Sequence, residues 1–490
     1  MAEFTSTRNR ALRADAREAV LNGIAPDGGL YVPGAFPTVA INEILSLSYS
    51  ELAKRIIRGI LSDFTEEEIE SSCDEAYLSH FDTDDVCPLV KVSGCYALEL
   101  FHGETAAFKD IALSILPRLM TRARRARGML GRTLILTATS GDTGSAAMNG
   151  FRGVPGTGII TFYPYGGVSE IQKKQMTCME GENLTCCAVK GNFDDCQTAV
   201  KRAFAHLQPP EGIRFSSANS INIARLVPQI TYYFWTYVQL VRRFGLSVGE
   251  KVDFIVPTGN FGDILAGEYA RWMGLPVGKL VCASNANRVL TDFLETGRYD
   301  RKRAFQKTLS PSMDILISSN LERMLYHAEN GNAERVCEHM KNLGSLGEYR
   351  VSPEAHERFR ADFAAYSFDD SQTLQTMKRV FDETGYLPDP HTAVGFACEA
   401  EFSKRSGNRP RVILATASPF KFPQSALSAL GIAAPEDPFE QLNALSKAIS
   451  VPVPASIAKL KEARPLHTDV ISQEEIFDYI LGKADKICKA

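Results

Sequence analysis

From about residue 130 the chain repeats one unit: a short apolar, β-rich run, a glycine loop, then an amphipathic stretch. "RTLILTAT" (132–139) stops at Ser140-Gly141. "TGIITFYP" (157–164), "LTCCAV" (184–189), "GIRFSSA" (212–218), "KVDFIVPTGN" (251–260) and "PRVILATAS" (410–418) read as further strands. Between them lie helical patterns at 193–207, 221–245 and 264–274. In the first of these, Asp194 is placed to cap or favour the opening turn. In the second, Ile223, Leu226, Val227, Ile230, Phe234, Tyr237 and Val241 share a face, and Pro228 is placed to kink it. Strands alternating with helices dictate a largely parallel sheet covered on both faces.

A length of 490 residues allows two such units beside a helical N-terminal region. The stretches 41–61 and 64–77 carry helical periodicity with acidic starts. The expected division is a mainly helical region at 1–95, a first α/β domain at 96–245, and a second at 246–490. The C-terminal tail at 434–460 reads as loop plus helix.

The totals exclude several classes. A net charge of −4 and 23% charged residues give no general pull toward nucleic acid or anionic lipid. The basic run "TRARRARGMLGR" (121–132) lacks interleaved aromatics and reads as a solvated helix end. No stretch approaches the length of a membrane helix, and "MAEFTSTRNRALRADAREAV" lacks the apolar core of a secretory signal. The 11 cysteines show neither C-x-x-C spacing nor a disulfide framework. No H-E-x-x-H occurs. The expectation is a cytoplasmic protein with reduced thiols, no resident metal and no membrane or nucleic-acid partner.

Two loops share a scheme. "LTATSGDTGSAA" (136–147) and "FIVPTGNFGDILAG" (254–267) each run from an apolar strand through Ser/Thr-Gly-Asp/Asn to a second glycine and a helix. Ligands of open α/β sheets bind at such carboxyl ends of strands. Gly259 and Gly262 permit positive φ, so successive N–H groups and the helix N-terminus can hold an anion, most naturally a phosphate. Read alone, this loop fits a tight turn equally well. Ser140 and Thr143 can hold a carboxylate, and Asp142 can face a cation. An N-cap explains Asp142 too.

"ETAAFKDIAL" (104–113) contains one lysine between an aromatic and an acid. A lysine held in an apolar site loses ammonium stability and becomes a nucleophile. Such lysines form Schiff bases with carbonyls, pyridoxal phosphate (PLP) included. Read alone, a lysine snorkelling at a helix start is the better account.

The wider pattern shifts that balance. "LFHGETAAFKD" (100–110), "IAPDGGLYVP" (24–33), "TATSGDTGSAA", "NSINIARL" (219–226), "PTGNFGD", "DPHTAVG" (389–395) and "TASPFKF" (416–422) occur together and in order. In this the chain resembles the threonine synthases, from about residue 5 to 425. The resemblance implies PLP fold type II, tryptophan-synthase-β-like, with two mostly parallel α/β sandwich domains. It implies a lyase that turns O-phospho-L-homoserine and water into L-threonine and phosphate by γ-elimination and β-hydration. It assigns the Schiff-base lysine to Lys109, beside Phe108. It assigns the cofactor-phosphate cradle to Gly259, Asn260, Phe261, Gly262 and Asp263. It places Asp142 by the cofactor's 3′-hydroxyl and Thr416 at the pyridine nitrogen. Ser140, Gly141 and Thr143 match the region receiving the substrate carboxylate.

Ser220, Asn222 and Arg225 are the candidates for the leaving phosphate, Arg being suited to bidentate phosphate binding. Two departures stand out: Ser418 replaces a histidine of many relatives, and Gly167 replaces an arginine of some. Another cation must then serve, and Lys173, Lys174 and Arg225 are the choices. His391 is read as a loop residue, with Thr392 capping the helix that follows. A monomer is expected. The same motifs also fit a phospho-lyase releasing 2-oxobutyrate, and a non-catalytic ligand-binding descendant.

Overall fold

A computed structural model describes residues 3–489, apart from the side chains of Asp194 and Lys489. Two sheets organise the chain. The larger has six strands in the order Phe363–Ser367, Val277–Ser284, Val252–Pro257, Arg411–Ala415, Cys95–Glu99 and Leu89–Val92. All neighbours are parallel except the last pair, an antiparallel hairpin. The register places Ile255 beside both Val281 and Ile413. The smaller sheet is wholly parallel, in the order Val470–Ile471, Leu184–Val189, Thr157–Pro164, Arg132–Ala138, Ile213–Ser216.

Strands Val252–Pro257, Leu184–Val189 and Thr157–Pro164 are buried at every residue. That is why they read as continuous apolar runs: helices cover both faces of a parallel sheet, and no polar alternation survives. The first strand of each glycine-loop unit ends where the apolar run ends, at Ala138 and Pro257.

The helix Ile223–Phe244 is buried from its first residue to Leu240 and packs against the helices Gly262–Trp272, Tyr49–Ile60 and Lys109–Ala126. Pro228 lies inside it, and one helix spans the proline. Gly245, in the left-handed region at φ 73°, ends it.

The N-terminal helices Tyr49–Ile60 and Glu66–Tyr77 each start with a capping box, Ser48/Glu51 and Thr65/Glu68. Their apolar faces, with Ile56, Ile57 and Ile69, join the core that holds Leu116, Ile230 and Phe254. The helix Phe193–His206 is capped by Asn192, whose side chain accepts from the Asp195 amide; Asp194 falls in its first turn, and its side chain lies outside what the structure describes.

The tail also returns to the small sheet. Beyond the helix Pro438–Ile449, Val470–Ile471 adds its edge strand. The helix Ile476–Lys489 then covers one face, with Ile476, Ile480, Ala484 and Ile487 against Leu134, Leu136 and Ile160. Among the described residues no helix is long and apolar enough to cross a membrane. Of the 11 free cysteines only Cys337 is exposed.

Candidate active site

The carboxyl ends of both sheets open onto one cleft. Lys109, Ser140, Thr143, Ser220, Arg225, the loop 258–263 and Thr416 all line it, and Phe108 lies beside Lys109 in its wall.

Lys109 is the first residue of the helix Lys109–Ala126. The segment before it is stitched to the loop after strand Arg411–Ala415. The Leu100 amide donates to the Ala415 carbonyl (2.9 Å), and the Phe108 amide donates to the Thr416 carbonyl (2.8 Å). A β-bridge joins Ala107 to Ala417. Ala106 sits at φ 55°, a conformation costly to a residue with a Cβ. The outcome is a lysine held inward: it is 9% exposed, so it does not snorkel. Its Nζ lies 3.6 Å from Asp142 Oδ2, 3.5 Å from Ser312 Oγ and 4.6 Å from the centre of the Phe108 ring. Burial lowers the ammonium pKa; Asp142 opposes the shift, while Lys421 and Arg225 reinforce it.

Asp142 does not cap its helix. The N-cap is Gly141, at φ 128°, and Asp142 is the first helical residue. The loop is folded by Thr139, whose hydroxyl accepts from the amides of Gly141 (2.9 Å) and Gly144 (2.8 Å). A Cβ at 141 would come within 2.4 Å of Gln172 Cδ, so only glycine fits. The Asp142 carboxylate accepts from Lys421 Nζ (2.7 Å), Gln172 Nε2 (2.9 Å) and Ser312 Oγ (3.1 Å). Burial alone would push this carboxyl up. The Lys421 and Lys109 ammoniums outweigh it and hold the group well below the usual carboxylate range.

In the second loop Phe261 sits at φ 60°, and the helix starts at Gly262. The residues 310–320 clasp this loop: Ser318 Oγ donates to the Gly259 carbonyl (2.8 Å) and the Asn320 amide to the Asn260 carbonyl (3.0 Å). A Cβ at Gly259 would lie 2.7 Å from the Ser312 carbonyl. Gly259 to Asp263 line the cleft, and the first amides of a helix lack intrahelical partners. Asp263 accepts from the hydroxyls of Tyr232 (2.5 Å) and Tyr233 (3.0 Å). Burial pushes its carboxyl up to about 6, against those two donors, and its Oδ2 has no partner among the described residues.

Arg225 is 2% exposed and donates through Nη1 to the Ala218 carbonyl (2.5 Å). Among the described residues no carboxylate pairs with it, and its Nε has no partner. Burial pushes its pKa down to about 10. A buried guanidinium in a cleft wall, with no carboxylate partner among the described residues, has the chemistry to pair with an anion brought from outside.

Asn222 is directed elsewhere. Its Oδ1 caps the long helix at the Ala224 amide (3.0 Å), its Nδ2 donates to the Val20 carbonyl (2.9 Å), and it does not line the cleft. Lys173 is exposed beside Glu170. Lys174 donates to the Leu460 carbonyl (3.0 Å) and covers the Phe439 ring. Of these three cations only Arg225 lines the cleft. A side chain at Gly167 would strike Pro164 Cγ at 2.5 Å, so this tight turn has no room for an arginine. Ser418 caps the turn Pro419–Lys421, accepting from the Phe420 amide (3.3 Å). The helix Pro390–Ser403 is capped by Asp389, not Thr392, because Pro390 occupies the first helical position.

Three residues at the site carry no sequence signal of their own. Ser312 bridges Asp142 and Lys109. Its amide donates to His391 Nε2 (3.2 Å), while His391 Nδ1 lies 2.7 Å from Asp389. Gln172 and Lys421 complete the shell around Asp142. Among the described residues no cluster of His, Cys, Asp or Glu is placed to hold a metal ion.

Comparison with known proteins follows the same geography. Residues 3–77 match the family described as Threonine synthase N terminus, 88–361 the Pyridoxal-phosphate dependent enzyme family, and 392–473 Threonine synthase, C-terminal. The threonine synthase of Pseudomonas aeruginosa is 42% identical over 427 residues, 86% of this chain and 89% of its own. The PLP-bound threonine synthase structure from Brucella melitensis superposes with a TM-score of 0.87 at 37% identity, covering 98% of this chain and 99% of its own. The yeast threonine synthase structure gives 0.89 at 33%, covering 100% and 99%.

Proposed function

The chain belongs to the threonine synthase family of PLP-dependent enzymes, and from that premise we propose that its cleft converts O-phospho-L-homoserine and water to L-threonine and phosphate. The enzyme is a lyase and its cofactor is PLP. The residues present fit that group. Lys109 lies on the cleft wall, 3.6 Å from the Asp142 carboxylate. The loop Gly259, Asn260, Phe261, Gly262, Asp263 offers amides to a phosphate and admits no Cβ at Gly259. Asp142 would stand by the 3′-oxygen, Thr416 at the pyridine nitrogen and Phe108 beside the linkage. Bound there, the cofactor withdraws electrons from the substrate's α-carbon and acidifies its Cα and Cβ protons.

The protein's own groups do the rest. Lys109 Nζ would take the Cα proton, and burial lowers the pKa of this amine. Ser140, Gly141 and Thr143, at a helix N-terminus, receive the α-carboxylate. Arg225, with Ser220 beside it, holds the phosphate that departs from Cγ. Asn222 acts through the fold, as the cap that aims Arg225 inward.

The observation that carries this reading is the uncompensated Arg225 guanidinium sharing a cleft with the Lys109–Asp142 pair. Incubation with O-phospho-L-homoserine, followed by identification of the organic product, tests it. L-threonine is expected; 2-oxobutyrate without threonine rejects it. The reading includes a monomer, and a cytoplasmic location that the buried, unbridged thiols favour.

A further inference from the structure

Lys421 is fully buried, yet it neither lines the cleft nor belongs to the machinery above. Its Nζ donates to Asp142 Oδ1 at 2.7 Å and to the Thr105 carbonyl at 2.8 Å. It stands on the loop that follows a strand of the large sheet, whereas Asp142 opens a helix that follows a strand of the small one. One carboxylate thus serves two ammoniums, Lys421 at 2.7 Å and Lys109 at 3.6 Å. The nearer ammonium takes the larger share of its field.

We propose that Lys421 is a positioning residue: by clamping Asp142 it denies Lys109 a full ion-pair partner and so keeps the Lys109 amine ready to give up its proton. This rests on the reading of Lys109 as the cofactor lysine. The charged and titratable groups facing the pair are Arg225 from the long central helix, Asp263 from the helix at 262–272, and His391 from the helix at 390–403. Asp110, beside Thr105, faces Lys421. Gln172 and Ser312 donate neutral hydrogen bonds to the carboxylate. His391 Nε2 accepts from the Ser312 amide (3.2 Å). Removing the Lys421 charge leaves Asp142 facing Lys109 as its nearest cation. Asp142 already raises the Lys109 pKa and Lys421 lowers it, so loss of the Lys421 charge moves the ammonium's titration upward.

The test strips the holoenzyme of PLP, reloads it across a pH series, and follows the visible band of the bound cofactor. Only the neutral amine attacks the aldehyde, so each unit of upward shift slows loading about tenfold at neutral pH. Lys421→Gln is expected to load at least about tenfold more slowly than wild type at pH 7.5, with the deficit closing at alkaline pH and restored by Lys421→Arg. Equal rates at pH 7.5, or a deficit that alkaline pH does not close, overturns the proposal. Should Lys421→Gln be insoluble, Lys421→Met is read by the same two criteria. A wild-type protein that gains no band with PLP sinks the cofactor reading itself, a result distinct from a wild type that loads and a variant that loads equally fast.

Discussion

Arg225→Met separates binding from stability in one substitution. Among the described residues no carboxylate stands beside this buried guanidinium, and burial lowers its pKa from 12.5 to about 10. That depression corresponds to a handicap of about 3 kcal/mol for keeping it charged in the folded protein. Methionine relieves the handicap but forfeits the hydrogen bond to the Ala218 carbonyl, worth about 1 kcal/mol. The net is a ligand-free protein more stable by about 2 kcal/mol, a rise in Tm of about 2 °C for a chain of this length. Activity moves the other way. Losing a desolvated charge partner for the substrate phosphate costs roughly 2–5 kcal/mol, a fall in kcat/KM of between about 30-fold and a few thousand-fold. Thermal melts without ligand and initial rates with O-phospho-L-homoserine read the two effects. A variant that melts lower while keeping its kcat/KM would make Arg225 a strut for the 218 loop and refute the reasoning.

Three further outcomes follow from buried groups elsewhere. Gly259→Ala drives a Cβ to 2.7 Å from the Ser312 carbonyl; overpacking of about 1–3 kcal/mol should weaken PLP affinity between about fivefold and 150-fold while circular dichroism stays unchanged, and unaltered affinity would show that the clasp can yield. Glu268 is fully buried and its carboxyl is pushed up to about 7, burial outweighing Arg271. The folded state then binds the proton more tightly than the unfolded chain, so this group's contribution to stability falls as pH rises from about 4.5 to 7. Glu268→Gln should flatten that fall in urea melts, and an unchanged slope would contradict it. Ile480→Ala opens the C-terminal helix's contact with the small sheet and should cost about 2–5 kcal/mol, read as a lower urea midpoint; a midpoint equal to wild type would show that the helix only rests there.

The fold was legible wherever burial is continuous. Strands 132–138, 157–164 and 252–257 announce themselves because both faces are covered, and the glycines of the two loops mark where each strand stops. Val277–Ser284 and Phe363–Ser367 carried weaker patterns and were not anticipated; nor was the return of the tail to the small sheet, since pairing of 470–471 with 188–189 is fixed by tertiary packing alone. At the site, the family motifs pointed to Lys109, Ser140, Thr143, the 259–263 loop and Thr416, and these residues line one cleft. Lys421 was not: its partner Asp142 is distant in sequence, and the motif around it gives no reason to bury an ammonium. Ser312 sits in a loop without periodicity, so only the clasp over Gly259 reveals it. Asn222 misled for a physical reason: an Asn before a helix looks alike whether it caps or binds, and here it caps.

The central claim is that one buried amine, and not its neighbour across Asp142, carries the cofactor. Reducing the PLP-loaded enzyme with borohydride and mapping its peptides tests this directly. The account predicts a pyridoxyl label on Lys109 with Lys421 unmodified; a label on Lys421, or none on either, would contradict it.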